Sequence, residues 1–361
     1  MLENDIIMPR AVQPPRDEKL LKKVTPIVDW IVDHTTTLHI NMPKDILEMY
    51  KFRAQLGAGV MTVQNHLGIP ETYILPDIFY KYDLPIPYSI SGDNLIKGKF
   101  FVDGATKLGI IFSERGTFDV EVAARRSREK TESVLERGCN IDFWPVPGRS
   151  KNGLTIAFQS SPFQTALKLD TPIFPTAVTY FELPEEYHFI EKKRSRRNLS
   201  KTEKLKGYTI KILHIPKLIF KHKGDVYFNF GEPIIPSQLF GWPIPEEKIP
   251  EYSILLADHA RKACLNQTAI TERNIVAFAA GMPGYIRDNV EIVLDKLQSH
   301  SDKFVFKFSG DCNFGDISLE DKISILIHRA ELSGKHPKLI KMYGNQIKHY
   351  VEGMYGRNYD K

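Results

Sequence analysis

An imidazole and a carboxylate close together in sequence are the residues of this chain best placed to do chemistry. They are His66 and Glu71, in the stretch Val63-Gln64-Asn65-His66-Leu67-Gly68-Ile69-Pro70-Glu71-Thr72. The apolar run Gly59-Val60-Met61-Thr62-Val63 reads as a short buried strand that delivers Asn65-His66 into a turn. Gly68 and Pro70 end the strand, and Pro70 suits the first position of a new helix. Glu71 then falls in that helix's first turn, where its carboxylate can fold back on the His66 ring. A histidine so partnered can act as a general base, because the carboxylate fixes the tautomer and stabilises the imidazolium that forms. The same pair also occurs in proteins as a purely structural contact.

The elements that must position this pair follow from periodicity. Residues 1–17, with Pro9, Pro14 and Pro15, form a mobile or extended lead, and an amphipathic helix follows from Leu20 to His34. Thr37–Asn41 is a strand, and Pro43 opens a helix to Leu56 that Gly57 and Gly59 stop. Strands are predicted at Ile110–Phe112, Ile141–Trp144 and Pro172–Val178, with helices at Val120–Arg137 and Ser161–Leu169 between them. This alternation argues for α/β layers. Tyr208–Ile215 and Val226–Phe230 read as further strands, and Pro236, Pro243, Pro245 and Pro250 as a linker. Helices are then expected around Ile254–Cys264, Ile275–Ala280, Val290–Leu297 and from a capping start at Ser318 to Leu332; Phe304–Phe308 alternates like a strand. The organisation expected is an N-terminal lead and helix (1–34), an α/β domain (35–250) and a mainly helical C-terminal region (251–361).

Composition excludes several classes. Among 361 residues, 42% are hydrophobic and 26% charged, as in ordinary globular proteins. Cys139, Cys264 and Cys312 are too few and too scattered for a disulfide framework or a metal-ligand cluster, which points to a reducing compartment. Met1–Arg10 has no apolar core of a secretory signal, and no apolar run reaches the roughly 20 residues of a membrane span. Any membrane contact is therefore expected to be peripheral. The net charge of +5 is unevenly spread: residues 191–207 form a strongly basic, core-poor loop. Such a loop can be simply solvated, or attract an anionic membrane surface, an acyl-carrier protein or the phosphates of CoA. Aromatics are not interleaved with its charges, so nucleic acid is not expected. Gly57-Ala58-Gly59 lacks the third glycine and acidic residue of a dinucleotide site. His214, His222 and Glu232 read as structural residues.

Four stretches stand in a telling order: Asn65-His66-x4-Glu71, Gly109-Ile110-Ile111-Phe112-Ser113-Glu114-Arg115, Trp144-Pro145-Val146-Pro147-Gly148-Arg149-Ser150 and Pro172-Ile173-Phe174-Pro175. Together they resemble the four blocks of the glycerolipid acyltransferase superfamily (NH-x4-D, G-x-IFI-D-R, FPEGTRS, VPIVPV), and Asp225–Ile234 resembles its closing strand. Ser91-Gly92-Asp93-Asn94-Leu95 and Gly148–Gly153 look closest to the glycerol-3-phosphate and dihydroxyacetone-phosphate acyltransferase branch, and Asn266–Ala277 with Leu319–Leu332 resemble its helical tail. The chain departs from the pattern at Glu71, where the family has Asp, at Glu114, and at Val146 and Pro147, where it has Glu and Gly.

The resemblance implies a mixed sheet flanked by helices with a C-terminal helical tail. It also implies acyl transfer from acyl-CoA or acyl-carrier protein to a glycerol phosphate hydroxyl, in phospholipid biosynthesis. His66 and Glu71 would be catalytic, and Arg115, Arg149, Ser150 and Lys151 would bind the phosphate; arginine suits that role because its planar fork grips phosphate bidentately. Arg115 and Arg149 can equally be surface or ion-pairing residues, and Lys151 a solvated lysine. No cofactor, metal or covalent enzyme intermediate is required. The departures at Glu71 and Val146 also admit a non-catalytic lipid- or partner-binding member, or an acyltransferase for a lysophospholipid or other alcohol.

Overall fold

A computed structural model describes residues 11–68, 70–92, 99–113, 120–146, 148–150, 152–183, 224–298, 318–330, 332 and 335–351. Its centre is a seven-stranded mixed sheet of β1 (Thr36–Asn41), β2 (Met61–Gln64), β3 (Tyr88–Gly92), β4 (Ile110–Ser113), β5 (Ile141–Phe143), β6 (Ile173–Tyr180) and β7 (Gly224–Phe230), in the order β1-β7-β6-β2-β5-β3-β4. The five strands from β6 to β4 are parallel; β7 runs antiparallel to β6 and carries β1 parallel to itself. Every residue of β2 and β6 is buried, the pattern of strands covered on both faces. The N-terminal ends of β2 and β5 approach with no room for side chains: a Cβ on Gly59 would sit 2.3 Å from the Cys139 carbonyl oxygen, and one on Gly138 2.0 Å from that of Gly57.

The helices between the strands are α1 (Glu18–Thr35), α2 (Lys44–Gln55), α3 (Glu71–Lys81), α4 (Lys99–Lys107), α5 (Val120–Leu135) and α6 (Ser161–Leu169). Asp17 caps α1 by accepting from the amides of Lys19 and Leu20, and Lys81 ties α3 to α1 through Asp29, Asp33 and its own Asp77. One face of the sheet packs against α1–α3, the other against α5 and α6. β3 and α4 are elements the periodicity did not reveal.

The proline-rich 236–250 stretch is not a bare linker. Pro236 opens α7 (Pro236–Phe240), Glu246–Lys248 is a 3-10 turn, and Pro250 lies in the first turn of α8 (Ile249–Asn266). Proline fits there because first-turn amides need no intrahelical acceptor. After α8 come α9 (Glu272–Ala279), α10 (Ile286–Gln298), α11 (Leu319–Arg329), α12 (Pro337–Asn345) and α13 (Lys348–Val351). These C-terminal helices are woven into the sheet layer. Leu256, Ala257, Ala260 and Cys264 of α8 join the core on the α5–α6 face, and Leu339, Met342 and Tyr343 of α12 join that on the other. The buried Arg273 guanidinium lies 4.3 Å from the Phe181 ring centroid and 5.2 Å from that of Tyr343, joining α9 to both. No helix among the described residues is long and apolar enough to cross a membrane. Tyr208–Ile215, Phe304–Phe308, Cys312, His214, His222 and the basic 191–207 stretch lie outside the described residues.

Candidate active site

The site is built where β2 runs out. Past Gln64, the Asn65 side chain substitutes for backbone: its Nδ2 donates to the Val178 carbonyl at 3.1 Å and its Oδ1 accepts from the Val178 amide at 2.9 Å. A side-chain amide thus extends the β2–β6 pairing by one rung while the main chain turns away. His66 follows. Its Nδ1–H donates to Glu71 Oε2 at 2.7 Å, and Glu71 Oε1 accepts from the amides of Leu67 at 2.8 Å and Gly68 at 2.5 Å. One carboxylate therefore binds the ring and closes the turn beneath it. Glu71 is the first residue of α3, where the helix dipole favours negative charge, with Pro70 as the cap rather than the first helical residue. The turn accommodates the longer Glu side chain at hydrogen-bonding range. Gly68 keeps the turn tight, since a Cβ there would meet Leu183 and Pro70 at 3.1 Å.

Glu71 has no exposed surface, whereas 16% of the His66 side chain is exposed. With Nδ1 donating to the carboxylate, the second ring nitrogen, Nε2, carries the lone pair. His66 lines a small hollow open to solvent, beyond the carboxyl ends of β2 and β5. Parallel sheets commonly bind ligands at that end. Leu67, Val146, Leu154 and Ile156 make the hollow largely apolar; Ser150 and Thr155 are its other polar side chains. The Trp144 ring leans on the imidazole, with centroids 5.2 Å apart and planes tilted by 36°.

The other sequence candidates fall as follows. The Ser150 amide donates to the His66 carbonyl at 2.8 Å, and its hydroxyl donates to the Leu154 carbonyl at 2.8 Å, so Ser150 organises the wall of the hollow. Arg149 is half-buried between Gly148 and Ser150, which both line the hollow. Arg115 and Lys151 lie outside the described residues. Sequence reasoning missed Trp144 as a neighbour of the ring and Leu154, Thr155 and Ile156 as wall residues. Their only signal is proximity to the third block, which fixes no direction for their side chains.

Beneath the site, the sheet carries buried polar groups. Burial pushes the Asp142 carboxyl up to about 7, and raises the phenol of Tyr50, whose hydroxyl meets Thr62 Oγ1 at 2.9 Å. The Cys264 thiol donates to the Val63 carbonyl at 3.4 Å, and burial raises its pKa, so it lacks the thiolate character of a nucleophile.

The family model for Acyltransferase matches residues 41–179, the segment that holds β2 to β5, nearly all of β6 and the whole turn around His66. The chain is 23% identical over 202 residues to a glycerol-3-phosphate acyltransferase of Pseudoalteromonas atlantica, covering 54% of this chain and 24% of that one. It is 21% identical over 183 residues to the dihydroxyacetone phosphate acyltransferases of Oryctolagus cuniculus and Homo sapiens, covering 48% of this chain and 26% of each. The family match and these relatives fit the glycerolipid acyltransferase superfamily. The chain spans about a quarter of the length of those relatives. The 1-acyl-sn-glycerophosphate (LPA) acyltransferase PlsC from Thermotoga maritima overlaps it with a TM-score of 0.39 at 18% identity, over 68% of this chain and 82% of that one.

Proposed function

We propose that this protein is an O-acyltransferase that moves a fatty acyl group from acyl-CoA or acyl-carrier protein to the hydroxyl of glycerol 3-phosphate or a related glycerol phosphate. The observation that carries this reading is the His66–Glu71 pair, hydrogen-bonded at 2.7 Å with the imidazole on an open, mostly apolar hollow. Nε2 takes the proton of the acceptor hydroxyl as its oxygen attacks the thioester carbonyl, and Glu71 steadies the imidazolium. Collapse of the tetrahedral intermediate breaks the C–S bond, and the imidazolium returns the proton to the leaving thiolate. General-base assistance supplies roughly 10²–10⁴-fold, and holding the two substrates together supplies more. In this reading Arg149, with Arg115 and Lys151, faces the phosphate, and the 191–207 stretch meets an anionic membrane surface or carrier protein.

The test is direct. Purified protein given palmitoyl-CoA or palmitoyl-acyl-carrier protein with glycerol 3-phosphate forms lysophosphatidate, and His66→Ala abolishes it. Ligand binding without turnover, indifferent to His66→Ala, would reject the enzymatic reading. A second reading, a lysophospholipid or other alcohol as acceptor, is favoured by the apolar wall of Leu67, Val146, Leu154 and Ile156. A higher kcat/KM for lysophosphatidate than for glycerol 3-phosphate selects it.

A further inference from the structure

The wall of the hollow is a strap, Ser150 and residues 152–156, whose described residues form no helix or strand. It is pinned at two points. At one end the Ser150 amide donates to the His66 carbonyl at 2.8 Å. Further along, Asn345 Nδ2, at the end of α12, donates to the Asn152 carbonyl at 2.7 Å across 193 residues of sequence. Beside that bond, Gly153 lies flat on α12: its φ is +79°, and a Cβ there would come within 1.9 Å of the Met342 carbonyl oxygen. Inside the strap, Asn152 Oδ1 accepts from the Leu154 amide at 3.2 Å and Ser150 Oγ donates to the Leu154 carbonyl.

The helix beneath is itself fixed. A Cβ on Gly344 would stand 2.9 Å from the Phe278 backbone, Asn274 Nδ2 donates to the Tyr343 carbonyl at 2.9 Å, and the Tyr343 hydroxyl accepts from the Leu183 amide at 2.9 Å. The C-terminal helix and the His66 turn thus hold this irregular segment at its start and at Asn152–Gly153, just before Leu154. Leu154 and Ile156 depend on those anchors for their place against the hollow.

We infer that α12 is part of the substrate site, with Asn345 and Gly153 as positioning residues that set the apolar wall against which the fatty chain of donor or acceptor lies. The inference rests on the hollow being where acyl substrate binds, as in the proposed function. Losing the wall's anchor weakens a hydrophobic contact made equally in ground and transition states, so affinity and KM move while kcat does not.

The experiment uses the full chain with Asn345→Ala, Gly153→Ala and, as control, Lys341→Ala on the exposed side of α12. Calorimetry measures affinity for palmitoyl-CoA and for 1-oleoyl lysophosphatidate, thermal melts establish folding, and transfer assays give KM and kcat. Folded Asn345→Ala is expected to bind at least one probe about five- to tenfold more weakly, the scale of one lost hydrogen bond. Its KM should rise alike and kcat stay within twofold, with Lys341→Ala like wild type. Gly153→Ala, if folded, follows Asn345→Ala. Wild-type affinity in folded Asn345→Ala, a fall in kcat at constant KM, or failure of wild type to bind either probe would overturn the inference. If wild type binds a probe but transfers nothing, the proposed function fails, and the affinity of Asn345→Ala alone decides the role of α12.

Discussion

Replacing Glu71 by Gln tests the site with the least disturbance of the fold. The Gln carbonyl oxygen can take the place of Oε1 and keep accepting from the Leu67 and Gly68 amides, which Glu71 holds at 2.8 and 2.5 Å. The NH2 then faces His66 Nδ1, which stands 2.7 Å from Oε2. Two donors cannot share that contact, so Nδ1 must present its lone pair and the ring proton moves to Nε2. The base is lost without loss of the turn. A drop in kcat of roughly 10²–10⁴-fold is expected, about 3–5 kcal/mol of transition-state stabilisation. The melting temperature should stay within a few degrees of wild type. Glu71→Ala differs because it leaves two buried amides unpaired at about 1–3 kcal/mol each, so that protein should be both inactive and clearly less stable. Release of free CoA from palmitoyl-CoA with glycerol 3-phosphate, alongside thermal melts, measures both. Glu71→Gln with kcat within threefold of wild type, or Glu71→Ala as stable as Glu71→Gln, would refute the reasoning.

Three further outcomes follow from buried groups. Asn65→Ala removes both partners of the Val178 backbone and should lower the urea-unfolding free energy by about 2–3 kcal/mol. Asp142, with its carboxyl raised to about 7 by burial, binds a proton in the folded state that the unfolded chain lacks between about pH 4 and 7. Its contribution to stability is therefore present at low pH and lost as pH rises through 7. Relative to wild type, Asp142→Asn should gain about 2 kcal/mol more at pH 8 than at pH 5.5, read from urea midpoints. His349 acts in the opposite direction: burial lowers it to about 4, so its stability is full above pH 6.5 and fades as pH falls towards 4. His349→Gln should reduce the loss of stability between pH 7 and 5 by about 2 kcal/mol.

Much of the sheet was legible in sequence because its strands are short apolar runs bounded by Gly or Pro. Ser161–Leu169 is the helix the pattern predicted, and Pro43, Gly57 and the Ser318 cap mark real helix ends. β3 stayed hidden because Tyr88-Ser89-Ile90-Ser91-Gly92 carries too little apolar signal, and α4 because Gly104 interrupts it. The prolines of 236–250 misled for a definite reason: proline breaks a helix interior but begins a helix readily. At the site, the His66–Glu71 contact is local, five positions apart, so spacing alone could anticipate it. The lean of Trp144 on the ring and the seat of Gly153 on α12 are set by tertiary approach, and nothing in nearby sequence encodes them.

The Tyr343–Leu183 hydrogen bond joins residues 160 positions apart, and Leu339, Met342 and Tyr343 fill a core made mostly by earlier segments. On a ribosome adding about 5–20 residues per second, that face of the sheet waits roughly 10–30 s between the birth of Leu183 and that of the tyrosine that seals it. The nascent chain must shelter an unfinished apolar surface through that interval, which makes this stretch of synthesis the natural moment for a chaperone to engage it.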